Sequence, residues 1–317
     1  MLERRTTDVL VVGAGPAGLE AALVLARAGR SVVVLDGGPG RNAPASHSYN
    51  VFTRDGTPPD ELRLIGRAQA RHYGARFVDA EAVTATSDEA GVRVGLADGS
   101  ERQARRLLLA TGVEDVLPEL PGVAEAWGST VVHCPYCHGH ELRGRPTAVL
   151  ATGEASVHLA ELLLGWTARV TLCAGLPGVP QRILEDAQQK LGAIAVVVDD
   201  RPVAALDVTG RAVRSVVFEG GERLRATAVY VQPPQRPRGP LPDALGLTRT
   251  ETGHIEVDET YRTSAPSVWA CGDMTTPMQA VQMAATSGFA AAAFLNHDLV
   301  QSGTRYAPTL SLLHPPS

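Results

Sequence analysis

Short apolar runs that end in glycine turns recur along this chain. Asp8-Val9-Leu10-Val11-Val12 reads as a strand, since an apolar run of about five residues bounded by turn signals is too short for a helix. Gly13-Ala14-Gly15-Pro16-Ala17-Gly18 then turns into a helix that runs to about Arg27. Ser31 to Leu35 reads as the next strand and ends at Asp36. Far downstream, Leu107-Leu108-Leu109 runs into Ala110-Thr111-Gly112, and Ser267-Val268-Trp269-Ala270 runs into Cys271-Gly272-Asp273; both read as strands. An Ala-rich helix without internal proline follows from Gln279 to about Leu299. The middle of the chain repeats the theme, with a strand at Thr147 to Leu150, a helix at Ser156 to Trp166 and a strand at Val170-Thr171-Leu172. There is no short-period repeat and no long low-complexity tract.

Strand, G-x-G-x-x-G, helix, strand, and an acid roughly 20 residues beyond the glycines together form the signature of a dinucleotide-binding unit. The glycines permit a tight turn and close backbone approach to a pyrophosphate, which the helix N-terminus stabilises. Asp36 is positioned to accept hydrogen bonds from a ribose. Two such units predict an α/β fold of two Rossmann-like, three-layer dinucleotide-binding domains, the second inserted into the first. Leu117-Pro118-Glu119-Leu120-Pro121-Gly122 and Gln232-Pro233-Pro234-Gln235-Arg236-Pro237 read as the entry and exit hinges. The outer, discontinuous domain is therefore expected at 1–116 and 239–317, and the inserted one at 117–238.

Composition narrows the possible roles. At 317 residues the chain can bury two cores. A net charge of −5 without a basic run argues against a nucleic-acid partner. No stretch of about 18 apolar residues is present, so no membrane span is expected. Arg4 and Arg5 before an apolar run imitate a signal peptide, but Asp8 interrupts the junction and cleavage would remove the glycine fingerprint. Cytoplasmic location is the expectation. Four cysteines (Cys134, Cys137, Cys173 and Cys271) are too few for a secreted disulfide scaffold of this length.

Cys134-Pro135-Tyr136-Cys137 is a pair able to cycle between dithiol and disulfide, because two intervening residues let the sulfurs meet within one helical turn. Beside a dinucleotide site, it points to electrons moving between a cofactor and sulfur. His138 follows directly and is either an acid–base group or a solvated residue. His133, Cys134, Cys137 and His138 would also suit a zinc knuckle by residue type, but no second Cys pair completes one, so no metal is expected. His133 and His140 read as structural or solvated. His47 lies in the loop after the first unit, where it faces either the cofactor or solvent. Cys173 and Cys271 sit in apolar strands and read as inert core residues.

With these motifs in place, the chain resembles the low-molecular-weight thioredoxin reductases nearly end to end. The match runs through the first glycines, Ala110-Thr111-Gly112, the central Cys pair, Gly272-Asp273 and Gln279-Ala280. The resemblance implies FAD held by Gly13, Gly15, Pro16, Ala17, Gly18, Asp36, Asn42, Thr111, Gly112, Gly272, Asp273, Gln279 and Ala280. It also implies a homodimer, with Cys134 facing the partner molecule and Cys137 facing the flavin. Physically, the N-terminus of the helix after Gln279 would favour an anionic reduced flavin.

Two departures stand out. The family's NADPH loop, Gly-Gly-Gly-Asp-Ser-Ala, is here Ala151-Thr152-Gly153-Glu154-Ala155-Ser156, and its His-Arg-Arg phosphate clamp is Ala174-Gly175-Leu176. The family's Cys-Ala-Thr-Cys-Asp ends here in His138 rather than Asp. Both features are similar to the dithiol oxidases that close disulfides in gliotoxin-type and holomycin-type natural products, and to pyridine-nucleotide-independent reductase relatives. The expected activity is an FAD-dependent dithiol–disulfide oxidoreductase with catalytic Cys134, Cys137 and His138 and weak NADPH use. Its partner would be a dithiol or disulfide, either a small molecule or a thioredoxin-like protein. An NADPH-dependent thioredoxin-disulfide reductase and a non-catalytic flavoprotein redox sensor remain as alternatives.

Overall fold

A computed structural model describes residues 7–191 and 195–304. Arg4, Arg5 and the stretch 305–317, which the sequence reading placed in the outer domain, lie outside the described residues. The chain begins with β1 (Thr7–Val12), α1 (Pro16–Arg27), β2 (Val32–Asp36), α2 (Pro59–His72) and β3 (Arg76–Asp79). A meander follows: β4 (Ala82–Asp88), β5 (Gly91–Leu96) and β6 (Glu101–Leu109). After β7 (Val113–Asp115) and α3 (Val123–Ala126) come β8 (Val131–Val132), α4 (Pro135–Leu142), β9 (Thr147–Leu150), α5 (Ala155–Leu162), β10 (Val170–Gly175) and α6 (Gln181–Leu191). Next are β11 (Val196–Thr209), β12 (Ala212–Phe218), β13 (Arg223–Arg225), β14 (Ala228–Val231) and β15 (Gln235–Pro237). The chain closes with α7 (Leu241–Ala244), β16 (Val268–Ala270) and α8 (Val281–Gln301).

One sheet has the order β3-β2-β1-β6-β5-β4. The second half of β6 pairs in parallel with β16, through Leu107 to Leu109 against Val268 to Ala270. Strands from both ends of the chain therefore share one sheet, and the other sheet is inserted between them. That second sheet runs β13-β12-β11-β10-β9-β14-β8. Its parallel half, β11-β10-β9-β14-β8, repeats the arrangement β3-β2-β1-β6-β16, and a pairing of antiparallel strands extends each sheet. The two-stranded ribbon β7–β15 joins the units, pairing Val113 with Pro237 and Asp115 with Gln235. The exit segment expected as a loose hinge is thus partly a strand, because Gln235 to Pro237 finds hydrogen-bonding partners in Val113 to Asp115.

The core of the outer unit lies on both faces of its sheet. On one face Val9, Val11, Val34, Leu108 and Trp269 pack under α1 and α8 through Leu25, Ala291, Ala292 and Leu295. The expected helix at Ser156 to Trp166 is shorter, ending at Leu162 and tightening into a 3₁₀ turn over Leu163–Gly165. The expected Gln279 helix start moves to Val281, with Ala280 as its N-cap. Helix α2 went unread in the sequence, although Pro59 at its start with Asp60 and Glu61 in the first turn is a helix-initiation pattern. No helix among the described residues is long and apolar enough to cross a membrane.

α1 and α8 approach closely where Gly288 faces Ala17. A Cβ at Gly288 would lie 2.1 Å from the Ala17 carbonyl oxygen. Gly288→Ala is expected to force the helices apart and destabilise the protein by about 1–3 kcal/mol, the usual cost of overpacking. Denaturant unfolding of the variant, with the loss appearing in the midpoint, checks it; an unchanged midpoint would show that the contact relaxes freely.

Candidate active site

The glycine loop follows directly from β1. Gly13 adopts φ +107°, and a side chain there would meet the Ala110 carbonyl at 2.3 Å. At Gly18 a Cβ would lie 1.9 Å from the Gly13 carbonyl, so α1 packs directly onto its own loop. A Cβ on Gly15 would meet nothing within 4 Å, and the residue faces a cavity of about 580 Å³. Pro16 and Ala17 at the start of α1, together with Asn42, Thr111, Gly112, Gly272, Asp273, Gln279 and Ala280, line the same space. The N-termini of α1 and α8 both open onto it, and their unpaired N–H groups favour negative charge. Gly18 lies behind the loop and shapes the turn without lining the cavity.

Asp36 is at the cavity edge, buried, with its carboxylate engaged by other side chains. Arg63 Nη2 reaches its two oxygens at 2.9 and 3.1 Å, Arg67 Nη1 donates at 2.8 Å, and the Gly38 N–H donates at 3.2 Å. Arg63 also donates to the Ala14 carbonyl, which ties α2 to the glycine loop. The sequence reading missed these arginines because their helix was missed. Their four-residue spacing on one helical face was the available signal.

The sulfur side of the cavity is built by α4. Cys134 is its N-cap, with Pro135 as the first helical residue, and its Sγ accepts from the Cys137 N–H at 3.1 Å. Cys134 and Cys137 are disulfide-bonded, with Cα atoms 5.3 Å apart. Both line the cavity, as do His138, His133 and His47. Nδ1 of His138 is buried without a hydrogen-bond partner, and burial holds the imidazole below its ordinary pKa against a weaker pull from Glu141. His138 is therefore a neutral base at neutral pH. Asn50 reaches across from the other unit and donates to the Tyr136 carbonyl at 2.6 Å. Cys173 and Cys271 are buried, and burial pushes both thiols up to about 12, as expected of inert core residues.

A network that the sequence did not reveal centres on Arg41. Its Nε and Nη2 grip both oxygens of Asp115 at 2.7 Å each, and Nη1 donates to Asp273 at 3.0 Å and to Gln279 at 2.6 Å. Gln279 and Gln235 exchange hydrogen bonds at 2.7 and 3.0 Å. Burial pushes Asp115 up, but the Arg41 fork more than offsets this and holds it below the usual carboxylate range. Burial lifts Asp273 above its ordinary range, with Arg41 opposing. His133, stacked on Trp127 at 5.8 Å, is pushed down to about 4 by burial and then by the Arg41 charge, against the pull of Asp115. His133 lies in the cavity wall beside the cysteines.

The donor set fits FAD. A glycine cradle open at Gly15, two helix N-termini and an unpartnered buried nitrogen on His138 suit a long, anionic, hydrogen-bonding cofactor. The comparisons agree with this geometry. The model of the pyridine nucleotide-disulphide oxidoreductase family matches residues 7–288. The chain is 34 % identical over 298 residues to the thioredoxin reductase tcpT of Claviceps purpurea, covering 90 % of this chain and 91 % of the relative. It is 33 % identical over 308 residues to the thioredoxin reductase sirT of Leptosphaeria maculans, covering 91 % and 93 %. The crystal structure of HlmI superposes with a TM-score of 0.86 at 38 % identity, covering 96 % of this chain and 95 % of that one. An oxidoreductase from Agrobacterium tumefaciens superposes at 0.85 with 31 % identity, covering 93 % and 99 %. This chain therefore belongs to the pyridine nucleotide-disulphide oxidoreductase family as a thioredoxin reductase-like, FAD-binding flavoenzyme.

Proposed function

We propose that the protein is an FAD-dependent dithiol–disulfide oxidoreductase that works mainly as a dithiol oxidase and makes little use of NADPH. The observation that carries this reading is one cavity shared by the cysteine pair, His138 and the glycine cradle. Bound FAD supplies a two-electron sink that returns the pair to the disulfide and passes the electrons to oxygen or a redox partner. A substrate thiolate attacks Sγ of Cys134, the Cys134–Cys137 bond breaks, and Cys137 leaves as a thiolate. The second substrate thiolate attacks the substrate sulfur of the mixed disulfide and expels Cys134 as a thiolate. The substrate is then a disulfide, and the pair holds two electrons. Cys134 leaves readily because the Cys137 N–H and the start of α4 stabilise its negative charge. His138 takes up the two protons of the substrate dithiol in turn and hands them to solvent. In this reading FAD is held by the thirteen residues from Gly13 to Ala280 named from the sequence, with Gly18 acting from behind the loop by shaping its turn, within an outer unit of 1–116 and 239–317 around an insert of 117–238.

The second nucleotide unit supports weak NADPH use. The Thr152 N–H, in the loop that would meet a pyrophosphate, donates instead to Ser156 Oγ at 3.1 Å. A Cβ at Gly175 would sit 2.1 Å from the Arg201 carbonyl, so the backbone here leaves no room for a clamping side chain. Ala174, Gly175 and Leu176 line a cavity of about 340 Å³ whose wall also carries Asp200 and Glu219, and carboxylates repel a phosphate. The name thioredoxin reductase carried by the fungal relatives supports reduction of a disulfide as a second reading, for which NADPH would be the electron donor. A homodimer in the cytoplasm completes the proposal, supported by the exposed α8 side chains Met283, Phe289 and Phe294. Light scattering at twice the chain mass checks the dimer, and cell fractionation the compartment.

Cys134→Ser and Cys137→Ser are each expected to abolish dithiol turnover while FAD stays bound. His138→Ala should slow turnover on the order of 10²-fold. Since burial lowers its pKa, the acid limb of the wild-type profile should lie below the ordinary histidine value and vanish in His138→Ala. Steady-state assays across pH check both, and full activity in either cysteine variant removes the pair from the mechanism. A single stoichiometric oxidation without further turnover would instead identify a redox sensor.

NADPH is expected to reduce the flavin poorly. Losing two charge-assisted phosphate contacts weakens binding by roughly two to four orders of magnitude. Anaerobic stopped-flow mixing is the measurement. Flavin bleaching by micromolar NADPH on the timescale of turnover would make this a conventional reductase.

A further inference from the structure

We infer that Arg41 is the positioning residue of the redox site, setting the crossover ribbon and the Asp273–Gln279 segment in register through one forked guanidinium. Four separate parts of the chain meet in the network around this side chain, β15 joining it through Gln235, which bonds Asp115 and Gln279. Arg41 comes from the loop after β2, Asp115 from β7, Gln235 from β15, and Asp273 and Gln279 from the segment before α8. Arg41 is itself largely buried, with 15 % of its side chain exposed, and four of its five N–H groups are committed to these partners. It is therefore not a spare cation for the cofactor phosphates.

The ribbon carries every covalent link between the two sheets, because the chain enters the insert after β7 and leaves it through β15. The Arg41 fork grips β7 directly, and the Gln235–Gln279 exchange grips β15. On the other side, Arg41 and Gln279 fix the residues that line the cavity floor. Where α4 and its disulfide stand relative to that floor thus depends on a planar fork that only arginine makes. The role holds for either direction of electron flow.

The titratable groups facing this network are Asp115, Asp273, His133 and His254, besides Arg41 itself. Without Arg41, both carboxylates are buried without a cation, and their folded-state pKa values rise above the unfolded ones. A group with a raised folded pKa contributes stability at low pH that is lost as pH climbs through the folded value. The melting gap between wild type and Arg41→Gln is therefore expected to widen from roughly pH 4 to pH 7. His133 acts in the same direction, since freed from the Arg41 charge it protonates more easily and compensates Asp115 only at low pH.

The experiment uses apoprotein and holoprotein of wild type, Arg41→Gln, Arg41→Lys and Arg41→Gln/Asp115→Asn. Thermal melts of the apoprotein across pH are expected to show the widening gap in Arg41→Gln. Asp115→Asn in that background should narrow it at neutral pH. Titration of apoprotein with FAD, followed by flavin fluorescence, is expected to show roughly 10- to 100-fold weaker binding in all three variants. Arg41→Lys keeps the charge and loses the fork, so its melting gap should stay flat with pH while its FAD affinity still falls. A pH-independent gap in Arg41→Gln, or FAD affinity in Arg41→Lys equal to wild type, overturns the inference. The apoprotein melts need no bound FAD, so they hold or fail separately from the cofactor assignment.

Discussion

The site depends on backbone meeting backbone at the top of the outer sheet. Gly13 lies against the Ala110 carbonyl, Gly18 against the Gly13 carbonyl, and Gly288 against Ala17. These contacts bring the ends of β1 and β6 and the helices α1 and α8 together with no side chain between them. Two helix N-termini can then open onto one cavity. A single methyl group at any of the three positions would push apart the elements whose convergence makes that cavity, so the glycines act by what they leave out.

Charge in the cavity is handled by dipoles more than by free cations. Arg63 is paired with Asp36, and Arg41 with Asp115 and Asp273. Attraction for an anionic cofactor therefore falls to the N–H groups of α1 and α8, which carry fixed partial charge and need no reorganisation, and to Arg238, which lines the cavity and donates to the Pro39 carbonyl. The same logic would operate at sulfur, where the start of α4 and the Cys137 N–H are placed to stabilise negative charge on Cys134 Sγ. His138 follows Cys137 in the same helix, and burial holds its imidazole below the ordinary pKa, which suits the proton-accepting role proposed for it.

The two nucleotide units share a strand order but differ in their loops. In the outer unit the loop after β1 opens onto a large cavity. In the insert, the loop after β9 folds back on Ser156, and the end of β10 packs its backbone against Arg201. A repeated architecture thus rests on buried apolar strands, while the loops at the strand ends can differ without cost to the core.

The sequence alone carried the information that is local. Apolar runs closed by glycine located β1, β2, β6, β9, β10 and β16, because burial on both faces of a parallel sheet writes itself as an uninterrupted apolar stretch. The Cys-x-x-Cys-His run and the altered loops at Ala151 and Ala174 were likewise legible, since each is a matter of residue type at fixed spacing. Tertiary structure decided what depends on distant residues meeting. Arg41, Asp115, Gln235 and Asp273 are scattered over more than 230 positions, and only the fold closes them into one network. Only the fold shows Asp36 paired with Arg63 and Arg67 of α2, and His133 set in the cavity wall after β8. Spacing along a chain reports a turn or a strand, whereas an ion pair across a fold reports only on the completed packing.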